Sequence, residues 1–414
     1  MSTGPEGIVA PAGRGDGGAR RRLARAGGGR ECEVAVVGSG LAGFTAYQTL
    51  RRGGLEPAEI AVFGTEADPV GTWRLRAAAI RQQEMRSESD GHTLPTSFPG
   101  LALASVRRQR SLRPLLETVA DRYHPTVDEF LEHVEERRER SRWDESVLLT
   151  RVERVRAVDG GFELDGPEPE APAPCRLPDR PRRSWGGFRH VLLAPGHPGL
   201  NVPAELRDDP RVVHSYQPHD YASTVTVVGA GLAAATEWLN ALEAGSEVVS
   251  VRRREPIRRA LNVPRHYFSR RGLAGFHGLA PRERAERLKT LLVPSYPPGR
   301  KWDEPLARAA EEGRFRVDAS LNGTGQVICA TGFRRGFSHD PLLALLASEH
   351  ELETVEGWIV LDPDSTVPAL TDGSRTLALA GVPAQWAFPA ADTLAGAKYA
   401  AHRFLERVRS CRTR

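Results

Sequence analysis

Val34-Ala35-Val36-Val37-Gly38-Ser39-Gly40-Leu41-Ala42-Gly43 is the stretch that decides the fold. Four apolar residues run straight into a glycine turn. From Phe44 to Leu50 apolar residues recur at helical spacing, and Arg51-Arg52-Gly53-Gly54 stops them. A second apolar run follows from Ile60 to Phe63. The order is strand, glycine turn, helix, strand. About 190 residues later it returns as Val225-Thr226-Val227-Val228-Gly229-Ala230-Gly231-Leu232-Ala233-Ala234. A helix then runs through Leu242, with a stop at Gly245 and a strand from Glu247 to Val251.

Each small residue in these turns has a physical task. The first glycine permits the tight turn out of the strand, and the second lets backbone approach a pyrophosphate. The third small residue, Gly43 or Ala234, allows helix and strand to pack closely. The helix start then offers unpaired N–H groups and a partial positive charge to the phosphates. Two copies in strand–turn–helix context predict two dinucleotide sites. After the second copy the strand ends in Arg252-Arg253-Arg254 with no acid. An acid there would bind a ribose 2′-hydroxyl, whereas arginine suits a 2′-phosphate, so the second site is predicted to take NADPH, with Gly229, Ala230, Gly231, Leu232, Ala234, Arg252 and Arg253 as its residues. In the first copy the position for that acid holds Gly64, with Glu66 two residues on. Either Glu66 reaches the ribose, or the adenosine end is held more weakly.

The rest of the chain bounds the answer. It has 414 residues, 40% hydrophobic and 27% charged, which suits a globular protein of two or three domains. No run approaches the ~18 apolar residues of a membrane-spanning helix. The net charge of +4 lies in residues 1–30, where six arginines face Glu6 and Asp16, and the remaining body is balanced. This excludes the overall charge signature of a nucleic-acid binder. The Gly/Ala/Arg-rich tail is expected to be disordered, and Arg20-Arg21-Arg22 lacks the apolar segment of an export signal. Cys32, Cys175, Cys329 and Cys411 form neither a CxxC pair nor a paired zinc knuckle, so no metal site is expected and a reducing cytoplasm is. Leu112 to Arg140 reads as helical with a break at His124-Pro125. Arg151 to Leu164 reads as a meander, 166–184 as a Pro-rich loop, and Phe188 to Ala194 as a buried strand. Residues 255–325 read as mostly helical, Gln326 to Ala330 and Leu377 to Ala380 as strands, and Asp392 to Arg407 as a closing helix.

Taken in order, these residues resemble the two-dinucleotide-binding flavoprotein monooxygenases, the group of flavin-containing monooxygenases, Baeyer–Villiger enzymes and N-hydroxylating amine monooxygenases. The resemblance runs from about residue 31 to 408. It rests on the turns at 38–43 and 229–234, on Val70-Gly71-Thr72-Trp73, on Glu129-Phe130, and on Ala330-Thr331-Gly332-Phe333 followed by Asp340-Pro341-Leu342-Leu343. The chain departs at Val70, where the family usually has glycine, and in the family's interdomain FxGxxxH motif, of which only His214 remains. The implied fold is α/β: an FAD-binding Rossmann-like domain (31–200 and 326–414) with an inserted NADPH-binding Rossmann-like domain (201–325). The disulfide reductases of the same architecture carry a redox-active cysteine pair, which this sequence lacks.

The resemblance implies a reaction and its residues. NADPH passes hydride to FAD, reduced FAD meets O2 to give a C4a-(hydro)peroxyflavin, and oxygen passes to a small-molecule substrate, with N-hydroxylation of an amine or amino acid favoured. Oxygenation at sulfur or carbon, an NADPH-dependent flavin reductase or oxidase, and a non-catalytic flavoprotein are the alternatives. Gly38, Ser39, Gly40, Leu41, Ala42 and Gly43 would hold the FAD pyrophosphate. Trp73, Met85, Arg86 and Gln82 would lie near the flavin, with Arg86 or Gln82 hydrogen-bonding flavin or peroxide. Asp392 or Thr393 would cap the final helix beside Leu394, pointing its positive end at the flavin. His214, Ser215 and Thr331 would lie on the NADPH side. Arg265 to Arg271, basic and aromatic, would bind a carboxylate or phosphate, or form an exposed turn. Neither nucleic acid nor membrane is expected as a partner, and no motif fixes an oligomeric state.

Overall fold

The structure is a computed structural model that describes residues 32–85, 101–119, 125–169, 182–321 and 325–412. The basic tail, Arg86, His124 and Cys175 lie outside the described residues.

Both glycine turns open a doubly wound unit. In the first, five parallel strands lie in the order Thr376–Leu379, His190–Leu193, Val34–Val37, Ile60–Gly64, Val147–Leu149. The strand order reverses beside Val34–Val37, which creates the crevice where ligands of such sheets bind. In the second, the parallel order is Phe315–Asp318, Glu247–Val251, Thr224–Val228, Gln326–Cys329, Val212–His214. It reverses in the same way beside Thr224–Val228. The strand at 326–329 therefore pairs inside the second sheet, and not within the C-terminal part of the first domain, as the sequence reading had it. A four-residue apolar strand is buried equally well in either sheet, so its sequence alone does not assign it.

Alternation along Val34–Val37 divides the first unit's core. Val34 and Val36 face the Leu41–Arg52 and Leu394–Arg412 helices through Phe44, Tyr47 and Phe404. Ala35 and Val37 face Phe162, Trp185 and Phe188 of a three-stranded antiparallel meander, Arg154–Val158, Gly161–Pro167 and Arg182–Phe188. This meander replaces both ends of the expected 166–184 loop with strand, while 170–181 lie outside the described residues. The segment from Val263 to Leu292 also joins this first-unit core, with Tyr267, Phe276 and Leu288 packed in the same cluster as Trp386 and Phe388. The helical insert thus spans the two units rather than belonging to the second alone.

Two chain crossings join the units, and they are stitched together. Leu200 and Phe333 form an antiparallel bridge. The Asn201 N–H donates to Gly332 O at 2.9 Å, and the Arg334 N–H donates to Gly199 O at 2.9 Å. Thr331 Oγ1 donates to Asn201 O.

The closest approach in each unit is at the turn. A Cβ on Gly38 would lie 2.1 Å from Ala194 O, and one on Gly43 would lie 1.8 Å from Gly38 O. Gly38 also has φ +117°, a conformation that side chains rarely adopt. Gly40 differs, since a Cβ there meets nothing within 4 Å. Gly38→Ala is therefore expected to cost about 2–6 kcal/mol of stability from strain and overpacking. Gly40→Ala should change stability by only about 0.5 kcal/mol. Urea unfolding of the two variants distinguishes them, and equal losses would contradict this account of the turn.

Candidate functional site

A cavity of about 1130 Å³ opens where the first sheet's strand order reverses. Val37, Gly38, Ser39, Gly40, Leu41 and Ala42 line it on one side, and Ala194, Pro195, Gly196 and His197 on the other. The Leu41–Arg52 helix begins at Gly40 with no side-chain cap, so its first N–H groups face the cavity without protein partners from a cap. Gly43 lies behind the lining as the close-packing residue. Of the predicted residues of the first site, Glu66, Trp73, Gln82, Met85, Asp392, Thr393 and Leu394 also line this cavity.

At one end, the absent acid at Gly64 has a steric cause. A Cβ on Gly64 would lie 2.0 Å from Ser39 Oγ, so Ser39 fills the space a longer side chain would need. Glu66 stands on the cavity wall instead, and its carboxylate accepts from Thr72 Oγ1 at 3.1 Å. Thr72 is held by the Gly71–Ala79 helix, whose Trp73 packs edge-on to Phe130 with ring centroids 5.1 Å apart. Thr126 and Glu129 form a reciprocal capping box at the start of the helix that carries Phe130.

At the other end lies the closing helix. It starts at Leu394, two residues later than expected, and Thr393 rather than Asp392 caps it, accepting from the Gly396 N–H at 3.2 Å. Asp392 turns to Asn262 instead, accepting from Asn262 Nδ2 at 2.7 Å. Gln82 donates to Glu84 O at 2.8 Å, and its side chain stays at the wall. Charged or titratable lining residues that the sequence reading did not single out include Arg76, His197 and Lys398. Burial and then Arg52 push the Lys398 ammonium down to about 8. Its being one of only three lysines was the single signal available. Arg265 to Phe268 form a 3-10 turn, and Phe268 reaches the cavity wall.

The second turn repeats the first. A Cβ on Gly229 would lie 2.4 Å from Ala330 O, Gly231 precedes the Leu232–Glu243 helix without a side-chain cap, and Ala234 is fully buried at the close-packing position. The three arginines do not converge. Arg252 lies along the Trp238 ring at 5.7 Å and pairs with Glu255, while Arg253 reaches outward to Glu205. His214 serves the crossing between the units. Its Nε2 lies 3.0 Å from Gly332 O and its Nδ1 accepts from the Tyr216 N–H, which fixes a neutral ring. Burial pushes it down to about 4. Ser215 is fully buried, and Thr331 donates to Asn201 O, so neither side chain lines the cavity.

A buried polar cluster holds the second unit against the first. Glu237 is fully buried and accepts from Tyr221 Oη at 2.7 Å and from His219 Nε2 at 3.2 Å. The other His219 nitrogen faces Gln217 O at 2.7 Å. Burial opposes the charged ring, but the hydrogen bonds to Glu237 and Gln217 outweigh it and hold His219 above its usual range. On the same helix Asn240 donates to Ile80 O at 2.8 Å, and Arg81 lies over the Tyr221 ring at 4.7 Å.

No protein-family model matches the chain, and no curated protein matches it by sequence. Solved structures do match it in shape. This chain has the two-dinucleotide-binding flavoprotein fold. An ornithine N-hydroxylase from Kutzneria sp. 744 superimposes with a TM-score of 0.69 at 16% identity, over 93% of this chain and 99% of that one. The cadaverine monooxygenase of desferrioxamine biosynthesis from Erwinia amylovora, bound to FAD, gives 0.67 at 14% identity over 92% and 95%. A bacillithiol disulfide reductase from Bacillus cereus gives 0.55 at 14% over 91% and 100%.

The two histidines give opposite pH responses. His214, with its folded value below 6.5, favours the native state at higher pH, and that contribution is lost as pH falls from 6.5 towards 4. His219, with its folded value raised, contributes fully below 6.5, and that contribution is lost as pH rises through the raised value. Glu237→Gln is expected to flatten the alkaline decline in urea midpoint and leave the acid decline intact. An unchanged alkaline limb would show that the pair is not what sets it.

Proposed function

We propose that this chain is an NADPH- and FAD-dependent monooxygenase that hydroxylates an amine nitrogen of a small molecule, working in the cytoplasm with O2 as oxidant. The observation that carries this reading is the pair of uncapped glycine-turn helices at equivalent strand-order reversals, one opening on a cavity of about 1130 Å³. The fold shared with amine N-hydroxylases supports the subclass.

FAD, when bound, supplies the hydride acceptance and oxygen activation that no side chain provides. The chain's own residues bind and orient. Backbone at Gly38 to Leu41 would hold the diphosphate, and the Glu66 carboxylate would accept from ribose hydroxyls. The Thr393-capped helix start would offer its positive end to the flavin. Asp392, oriented by Asn262, holds the substrate ammonium and takes up the proton that leaves the nitrogen nucleophilic. Leu261, Phe268, Leu342 and Val382 keep this part of the cavity apolar and exclude water.

A disulfide reductase is the second reading, and the thiols disfavour it. Burial pushes Cys32 up to about 12 and Cys329 up to about 11, so neither is a thiolate near neutral pH.

The purified protein should retain FAD and oxidise NADPH with formation of a hydroxylamine from an amine in a diamine and amino-acid panel. Asp392→Asn is expected to lower kcat/KM for the amine by about tenfold, the scale of losing one charge-assisted hydrogen bond at an exposed carboxylate. Amine-free NADPH oxidation should change by no more than about twofold, since Asp392 is not asked to act there. NADPH consumption that yields only hydrogen peroxide with every amine would favour the oxidase alternative, and protein that takes up no FAD would favour a binding role.

A further inference from the structure

Arg76 is a cation without a direct salt bridge among the described residues, with the Glu66 carboxylate acting on it only through space. It sits in the last turn of the Gly71–Ala79 helix, is half-buried, and lines the large cavity. Among the described residues it forms no ion pair and no hydrogen bond through its side chain. Its helix neighbour Arg74, more exposed, is paired with Asp68 at 3.1 Å. A half-buried guanidinium is usually satisfied by a carboxylate, because desolvating a charge costs free energy unless it is paired. Arg76 instead lies over the face of Phe333, 4.7 Å from its ring centroid, and burial lowers it more than Tyr216 and Glu66 raise it.

The surroundings of Arg76 locate it at the junction of the units. Phe333 stacks on His197 at 3.8 Å and on Tyr216 at 5.0 Å. His197 belongs to the outbound crossing and lines the cavity, Phe333 belongs to the return crossing, and Tyr216 follows the Val212–His214 strand of the second sheet. The cation also depresses the buried imidazoles His197 and His214 after the larger effect of burial, which marks it as near both. Arg76 therefore stands where the wall of the first cavity meets the crossings into the second unit.

We propose that Arg76 is a dinucleotide-binding residue that takes a phosphate oxygen of the NADPH diphosphate as the cofactor crosses between the units. The assignment rests on the two-cofactor reading above. A planar guanidinium fits two phosphate oxygens at once, and binding supplies the direct charged partner that Arg76 lacks in a partly desolvated place. The FAD diphosphate has the same chemistry, but it has the Gly38–Leu41 turn for its partner, whereas Arg76 faces the second unit.

The test is NADP+ and NAD+ titration of FAD-loaded protein by calorimetry, with FAD retention on gel filtration and thermal unfolding measured in parallel. Arg76→Gln should weaken NADP+ by about tenfold or more, the effect of one charge-assisted hydrogen bond. NAD+ should weaken by the same factor, since the contact is to the diphosphate and not to the 2′-phosphate, and FAD retention should not change. Arg76→Lys should recover part of the affinity. An unchanged NADP+ affinity in Arg76→Gln overturns the proposal, as does a loss confined to FAD retention or a loss seen with NADP+ alone. A wild-type protein that binds neither nicotinamide dinucleotide would instead remove the two-cofactor reading beneath it.

Discussion

Everything in this molecule is arranged around two places where backbone touches backbone. At Gly38 and again at Gly229 the turn leaves its strand so close to a neighbouring strand end that a single methyl group would collide with a carbonyl oxygen, Ala194 O in one case and Ala330 O in the other. Those contacts are possible because the neighbouring strand is parallel and in register, so its end arrives at the same height. Together they place the free start of a helix over the crevice of each sheet. The meander, the helical insert and the closing helix then wall in the first crevice but leave its floor to the glycine turn.

The same logic explains what could be read from residues alone. The glycine turns are local signals, carried in ten consecutive residues, and they marked the strand and helix that open each unit. Sheet membership of Gln326–Cys329 is non-local: four apolar residues say that a strand is buried without saying beside what. Thr393 and Asp392 are both good helix caps, and only the nearby Asn262 amide decides between them. Arg252 and Arg253 look alike in sequence but diverge in space, because one can lie on Trp238 and the next must point the other way. Arg76 carries no sequence signal at all in a chain so rich in arginine. It stands out only once its missing partner is noticed.

Fold and function are separate inferences here. The architecture accommodates amine hydroxylases and a disulfide reductase alike, so shape cannot choose between them. What chooses is local chemistry. Burial pushes up the thiols of Cys32 and Cys329, and the cavity wall carries the Asp392 carboxylate beside the Asn262 amide.

The stitching of the two chain crossings has a consequence for the two crevices. Leu200 and Phe333 act like facing teeth of a zip, with backbone hydrogen bonds on either side. A wide clamshell motion would have to unfasten the zip, while a small twist would leave it closed. The zip thus ties the relative position of the two glycine turns to the backbone itself, so the spacing between the crevices is set by main-chain hydrogen bonds rather than by side chains.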